Sequence, residues 1–232
     1  MRMLGIIGGT GPESTVEYYQ RLHKVFRERK PQGGAPQVII NSIDNSKLLR
    51  LVGANDLAQM AEFLAEEVER LARAGAGLAL LSANTPHLVF GEVQSRSSIP
   101  MLSIVMVTRA AAIAAGLSRL ALFGARYTMQ ATFYPEIFNE AQITIVPPNE
   151  AEQAYIHEKY MGELWHGIVL DETRAQLIGI VQAMKEREGI EGLILGGTEL
   201  SLILREPRAA GLPVLDTTQI HVEAAVDWML RE

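Results

Sequence analysis

The sequence predicts an α/β fold of two pseudo-symmetric lobes, each a parallel sheet flanked by helices, with the active-site cleft between them. Three observations lead to this prediction. Short apolar runs alternate with amphipathic stretches, parts of the chain repeat one another, and 232 residues suffice for two lobes that each close a core of their own.

Eight short apolar runs have the length and composition of buried parallel strands. They occupy residues 4–8, 37–41, 78–82, 101–104, 120–124, 143–146, 193–196 and 213–215. Between them lie helical patterns such as residues 56–73, where leucine, methionine and valine recur every three or four positions. The alternation of strand and helix predicts βαβ units.

Two pairs of segments resemble each other and indicate a repeat. AGAGLALLSANTPH, which ends at His87, is echoed by EGIEGLILGGTEL, which ends at Leu200, and IIGG at Ile6 resembles LFGA at Leu122. We therefore expect a first lobe of residues 1–99 plus 213–232 and a second lobe of residues 100–212. Strand ends of both lobes would face the shared cleft, where open α/β sheets bind ligands.

Charge and composition exclude several classes of protein. The net charge is −6, the pI is about 5.5 and the basic residues are scattered, so nucleic acid is not an expected partner. Hydrophobic residues make up 48% and charged residues 21%, which is typical of a globular protein. No apolar run reaches 18 residues and the first one is too short for a signal peptide, so we expect no membrane partner and a cytoplasmic location.

The sequence also argues against metal and serine-hydrolase chemistry. Its five histidines form no HExxH motif, so no metal site is predicted, and no GxSxG motif occurs. There is no cysteine, which rules out disulfides and bears directly on mechanism.

The glycine-rich segment GGTGPESTVEYY, from Gly8 to Tyr19, predicts a tight turn between a strand and a helix. Backbone amides at such a helix start can bind an anion, which makes Thr10 a candidate substrate contact. The segment lacks the lysine of a P-loop and the spacing of GxGxxG. The alternative is a turn without a ligand, in which Glu13 and Ser14 cap the helix.

SANTPH, residues 82–87, follows one predicted strand. Asn84 and Thr85 are suited to a carboxylate ligand, although both residue types are also common helix caps. Ser82 is a conceivable nucleophile or base. His87 is a further candidate base, with a packed or capping role as the alternative.

GGTEL, residues 196–200, takes the equivalent place in the second lobe. Thr198 and Glu199 lie at the strand end, where a carboxylate could act as a base or orient its neighbours. ARYTM, residues 125–129, brings a further hydroxyl, that of Thr128, to another strand end.

Together with DTTQIH at Asp216, the four motifs GGTGPEST, ANTPH, ARYTM and GGTEL resemble the aspartate/glutamate racemase family in order and spacing. The resemblance implies a cofactor-free reaction in which two cysteines, one from each lobe, exchange a proton at the α-carbon. The first cysteine precedes Asn-Thr and the second precedes Thr-Glu. The matching positions here are Ala83 and Gly197, and neither can transfer a proton.

The resemblance also implies roles for other residues. It places Asn84, Thr85, Thr128 and Thr198 near the α-carboxylate and amino groups of a substrate, and Glu199 and His221 in support. Arg50 and His166 are the nearest candidates for the basic residues of aspartate-preferring relatives. It further implies a homodimer and a small carboxylate or amino acid as partner.

The missing thiols leave the reaction open. A positioned base typically contributes about 10² to 10⁴-fold to a rate, so ordinary two-thiol racemisation is not expected. The alternatives are a non-catalytic small-molecule binding or regulatory protein, and a lyase or isomerase that uses Glu199, Ser82 or His87 as its base.

Overall fold

The computed structural model describes residues 2–231, which divide into two compact units. One unit contains the chain up to Ile104 together with the chain from His221 onward, and the other is Val105–Ile220. Each unit carries a sheet with helices around it, so the predicted α/β class is confirmed.

The first unit contains a sheet of four parallel strands in the order β2-β1-β3-β4. Its elements are β1 (Leu4–Gly8), α1 (Pro12–Arg29), β2 (Val38–Ser42), α2 (Asn45–Gly53), α3 (Leu57–Arg73), β3 (Leu78–Leu81), a 3₁₀ turn (Thr85–Val89), α4 (Phe90–Arg96) and β4 (Met101–Leu102).

The second unit contains a five-stranded sheet in the order β6-β5-β7-β9-β8. Its elements are α5 (Ile104–Ala114), β5 (Arg119–Gly124), α6 (Arg126–Gln130), α7 (Phe133–Asn139), β6 (Thr144–Val146), α8 (Glu150–Gly162), a 3₁₀ turn (Leu164–His166), α9 (Asp171–Glu188), β7 (Gly192–Gly196), α10 (Leu200–Ile203), β8 (Arg208–Ala209) and β9 (Leu212–Asp216). The final helix, α11 (Thr217–Leu230), begins in this unit and continues into the first.

The two sheets repeat one strand order, because β6-β5-β7-β9 corresponds to β2-β1-β3-β4. All eight predicted strands are present, and β8 is an additional two-residue strand that pairs antiparallel with β9. The echo in the sequence corresponds to β3 and β7, which pair with β1 and β5 respectively.

The units divide at different residues from those expected from sequence. β4 pairs with β3 and so remains in the first unit, whereas residues 100–212 were expected to form the second lobe. β9 pairs with β7 in the second sheet, so the chain returns to the first unit within α11 and not before β9. Hydrogen bonding between strands, which composition does not reveal, accounts for both differences.

Apolar side chains cover both faces of the first sheet. One face packs against α2, α3 and α4, and the other packs against α1 and the end of α11. The second sheet has a core that includes side chains of α8, α9 and α10. Parallel sheets covered on both faces have near-continuous apolar strands, as these do.

Two buried histidines link backbone segments within the first unit. His87 lies 3.1 Å from the carbonyl of Ala83 through Nδ1 and accepts the N–H of Ile104 at Nε2, also at 3.1 Å. His221 lies 3.1 Å from the carbonyl of Leu102 through Nε2, and the Tyr18 hydroxyl donates to its Nδ1 at 3.0 Å. These partners define one neutral tautomer for each ring, because the nitrogen beside a carbonyl must carry the hydrogen.

Burial makes both histidines hard to protonate. It lowers the pKa of His87 to about 4. It also lowers the pKa of His221 to about 3, with a smaller contribution from the nearby His87. Because both folded-state pKa values lie below the unfolded value of 6.5, the unfolded chain binds more protons in acid, and stability falls as the pH drops below 6.5.

We expect each histidine to cost about 2 kcal/mol of stability between pH 7 and pH 5. His87→Gln should remove its share of this loss, so the variant's free energy of unfolding should fall less steeply with acid than that of the parent. Urea unfolding at pH 7, 6 and 5 measures the slope. The control is His166→Gln at an exposed position, which should retain the parental slope. Equal slopes in all three proteins would contradict the assignment.

Candidate functional site

In each unit, polar residues follow the carboxyl ends of neighbouring parallel strands. Ile7 of β1 pairs with Leu81 of β3, so the loop containing Thr10 and the loop beginning at Ser82 leave the same edge of the first sheet. Gly124 of β5 pairs with Gly196 of β7 in the second sheet. This edge is where open α/β sheets bind ligands.

The loop after β1 turns at Gly9, whose φ of 81° favours glycine. The Gly9 N–H donates to Oγ1 of Thr15 at 2.9 Å, which closes the turn. Helix α1 starts after Gly11, which as its N-cap residue has no side chain to cap it. Thr10 is buried, and its hydroxyl has no hydrogen-bond partner among residues 2–231.

The loop after β3 holds the other predicted residues of the first unit. Ser82 is fully buried, and its hydroxyl donates to the carbonyl of Ile7 at 2.9 Å. Asn84 is buried and starts the 3₁₀ turn without capping it through its side chain, while Thr85 is half-buried. Ala83 is also half-buried.

The hydrogen bonds of His87 and Ser82 limit what either residue can do chemically. Both ring nitrogens of His87 are engaged by backbone groups, and its lowered pKa makes it a weak base. The Ser82 hydroxyl donates its hydrogen to the carbonyl of Ile7, a backbone group that cannot activate it as a nucleophile. In this structure both residues hold the loop in place.

In the second unit, glycines bring Thr128 close to two strand ends. Thr128, on α6, is fully buried. A Cβ atom at Gly124 would lie 3.2 Å from Cβ of Thr128, and one at Gly196 would lie 3.2 Å from its Cγ2. The neighbouring strand is closer still, because these Cβ atoms would lie 2.8 Å from the Gly196 carbonyl oxygen and 3.0 Å from that of Phe123, so a larger residue would clash within the sheet as well as with α6.

The segment after β7 contains the most strongly coupled polar group. Thr198 and Glu199 are buried, and the Thr198 hydroxyl donates to Oε2 of Glu199 at 2.9 Å. The hydroxyl of Tyr160, on α8, donates to the same oxygen. A buried carboxylate that accepts two hydroxyl donors is a preorganised polar group and a candidate base.

The remaining predicted contacts lie at the surface. Arg50 is exposed in the last turn of α2, and His166 is exposed in the 3₁₀ turn that follows α8. His221, predicted in a supporting role, is buried and bonded to Tyr18 and Leu102.

Residues 2–231 contain no cluster of three or more histidines and carboxylates that could hold a metal ion. In the same part of the chain, no helix combines the length and apolar character needed to cross a membrane.

Two polar residues near the strand ends of the second unit, Tyr160 and Asp216, have no role predicted from the sequence motifs. The Asp216 carboxylate accepts the Ser201 hydroxyl at 2.8 Å and the N–H groups of Thr218 and Gln219, and so fixes the start of α11. Tyr160 lies within an ordinary helical pattern. The one signal that could have drawn attention to it is glycine at residue 197, which leaves space for a neighbouring side chain.

Comparison with known proteins identifies the family. Residues 7–225 match the Asp/Glu/Hydantoin racemase family. A putative Asp/Glu racemase from Yersinia pestis is 28% identical, with a TM-score of 0.90, and the match covers 100% of both chains. An aspartate racemase homologue from Pyrococcus horikoshii OT3 is 32% identical, with a TM-score of 0.87 and the same full coverage.

A more distant structure, the aspartate racemase of Picrophilus torridus, is 17% identical with a TM-score of 0.76 over 99% of this chain and 94% of that one, and shares the fold. The match to the family extends from the end of β1 into α11 and so includes elements of both units. The chain belongs to the Asp/Glu/Hydantoin racemase family.

Proposed function

We propose that this protein binds an acidic amino acid or a related small carboxylate, without a cofactor, through polar groups at the carboxyl ends of its strands, and that it does not use the two-thiol mechanism. The observation that carries the proposal is the position of the buried polar residues. Most of them follow the carboxyl ends of strands, and Thr10, Asn84, Thr128, Thr198 and Glu199 are among them. Burying polar groups costs free energy, so such a concentration is typical of a binding site.

The chemistry of these groups suits a carboxylate bearing an amino group. Hydroxyls and an amide can donate to carboxylate oxygens, and the start of the 18-residue helix α1 adds a positive dipole end. The Glu199 carboxylate can accept from an ammonium group or take up a proton. Membership of the racemase family supports the same class of ligand.

The lack of cysteine rules out a two-thiol mechanism, and the surroundings of Gly197 leave no room for a thiol at that position. A Cβ atom there would overlap Cε2 of Tyr160 and lie 3.1 Å from its Cζ. The ring is buried and its hydroxyl is bonded to Glu199, so it has little freedom to move aside. Residue 197 therefore has no room for a side chain while the ring keeps this position.

A second candidate function, a lyase or isomerase with a single base, is favoured by the Glu199 carboxylate. Glu199 is buried at a strand end and bonded to two hydroxyls, an arrangement suited to abstracting a proton next to a carboxylate. Solvent deuterium incorporation separates this function from binding alone.

Binding can be tested through Asn84. We expect calorimetry to detect binding of aspartate, glutamate or a dicarboxylate, and Asn84→Ala to weaken it by about 10 to 100-fold, since a hydrogen bond to a charged group is lost. Asn139→Ala, at an exposed helix end, is the control and should bind as the parent does. Absence of binding by the folded parent to every ligand of this class would overturn the proposed function.

The clash between Tyr160 and a side chain at residue 197 predicts how variants with introduced cysteines behave. Ala83→Cys with Gly197→Cys should give little racemisation while Tyr160 is present, and adding Tyr160→Ser should raise the rate by at least about 10-fold by making room for the second thiol. Circular dichroism of aspartate and glutamate follows racemisation, and thermal melting verifies that each variant is folded. Equal rates with and without Tyr160 would show that the ring is no obstacle.

A further inference from the structure

The ring of Tyr160 lies where a side chain at residue 197 would project. Its Cε2 overlaps the position of a Cβ atom at Gly197, and Oη would be only 3.2 Å from that atom. Tyr160 is 6% exposed and belongs to the core that includes Leu195 and Leu200 on either side of this segment. Gly197 and Tyr160 are therefore matched: the glycine is required by the ring, and the ring fills the space that the glycine leaves.

The hydroxyl of this ring is part of a compact polar network. It donates to Oε2 of Glu199, and the Thr198 hydroxyl donates to the same oxygen. Burial raises the pKa of Tyr160 well above its ordinary value, and the negative charge of Glu199 adds to the effect. Tyr160 thus remains a neutral hydrogen-bond donor at any pH at which the protein would work.

Two donors on one oxygen have a consequence for Glu199. A buried carboxylate needs hydrogen-bond donors in place of the water it has lost. The Tyr160 phenol and the Thr198 hydroxyl are such donors, and both contact Oε2. The tyrosine and the glutamate therefore act as a pair, in which the phenol fixes the orientation of the carboxylate.

We propose that Glu199 is the catalytic base of the second unit and that Tyr160 is its positioning residue, taking the space of the side chain that residue 197 lacks. The proposal rests on the proposed function, because it requires an amino acid or related carboxylate to be bound. The Glu199 carboxylate accepts the α-proton and becomes a carboxylic acid, and the electron pair of the broken C–H bond stays on the substrate as an enolate. The same carboxylic acid, after exchange with solvent, returns a proton or deuteron to that carbon.

One base acting alone leaves a stereochemical signature. The proton is removed and returned by the same group, so deuterium from solvent enters the α-position with retention of configuration. A two-base racemase in D₂O gives inverted product instead. We therefore expect this protein to exchange the α-proton of an L- or D-amino acid slowly, without accumulation of the opposite enantiomer.

The test follows α-proton loss by NMR and configuration by chiral chromatography, in D₂O with L-aspartate and L-glutamate. We expect exchange with retention in the parent and a fall of at least about 100-fold in Glu199→Gln, because the base is removed. Tyr160→Phe retains the ring over Gly197 and removes only the hydroxyl. We expect it to slow exchange by about 10-fold while the ligand Kd measured by calorimetry stays within about twofold of the parent value, because the carboxylate loses a hydrogen bond that orients it.

Tyr155→Phe is the matched control. Tyr155 lies on the same helix, is half-buried, and faces Lys159 with its ring, so the variant loses a phenol without touching Glu199. Its exchange rate and ligand Kd should equal those of the parent. A Tyr160→Phe exchange rate equal to that of Tyr155→Phe, or one that falls only in step with weaker ligand binding, would overturn the positioning role.

Calorimetry on the same proteins separates failure of this proposal from failure of the proposed function. A parent that binds ligand but shows no exchange overturns the assignment of Glu199 and leaves the binding function standing. A parent that binds none of the ligands overturns the binding function itself. Exchange that persists in Glu199→Gln, or exchange accompanied by the opposite enantiomer, also contradicts the single-base assignment.

Discussion

Buried polar groups must have hydrogen-bond partners, and this constraint organises the strand ends of both units. In the first unit His87 and Ser82 meet it with backbone groups, and His221 meets it with a backbone carbonyl and the Tyr18 hydroxyl, so these hydrogen bonds hold the fold together. In the second unit Glu199 meets it with two hydroxyls, one from its neighbour Thr198 and one from α8. The hydrogen bonds of the first three residues serve the fold. Those of Glu199 hold an ionisable carboxylate at a strand end.

Two buried hydroxyls among the described residues do not meet the constraint. Those of Thr10 and Thr218 have no partner, and each lies at the beginning of a helix that follows a strand. An unsatisfied buried donor costs about 1–3 kcal/mol, and in native proteins such groups concentrate where a ligand or water completes the network. Their location after the carboxyl ends of β1 and β9 agrees with a carboxylate-binding role.

Much of the fold could be predicted because it depends on local pattern. Apolar runs located eight of the nine strands in the described residues, and the periodic run beginning at Leu57 matched α3, with Asp56 as its cap. The unit boundaries differ from the predicted ones because β4 and β9 are assigned by pairing to β3 and β7, which no single segment encodes. β8 is only two residues long and shows no periodicity. For the candidate site, the motifs identified the strand-end residues, but not Tyr160, whose part depends on a contact between α8 and a segment 37 positions further on.

The Tyr160–Gly197 contact ties the packing of α8 to the segment that follows β7. Without the ring, the space beside Gly197 would be a cavity, and cavities in a packed core are costly. The tyrosine ring fills this space and brings a hydroxyl to Glu199, so one residue serves both packing and hydrogen bonding. A side chain at residue 197 would require the ring to move and that hydrogen bond to break. We therefore expect a change at either residue alone to be destabilising, and changes at the two residues to be strongly non-additive.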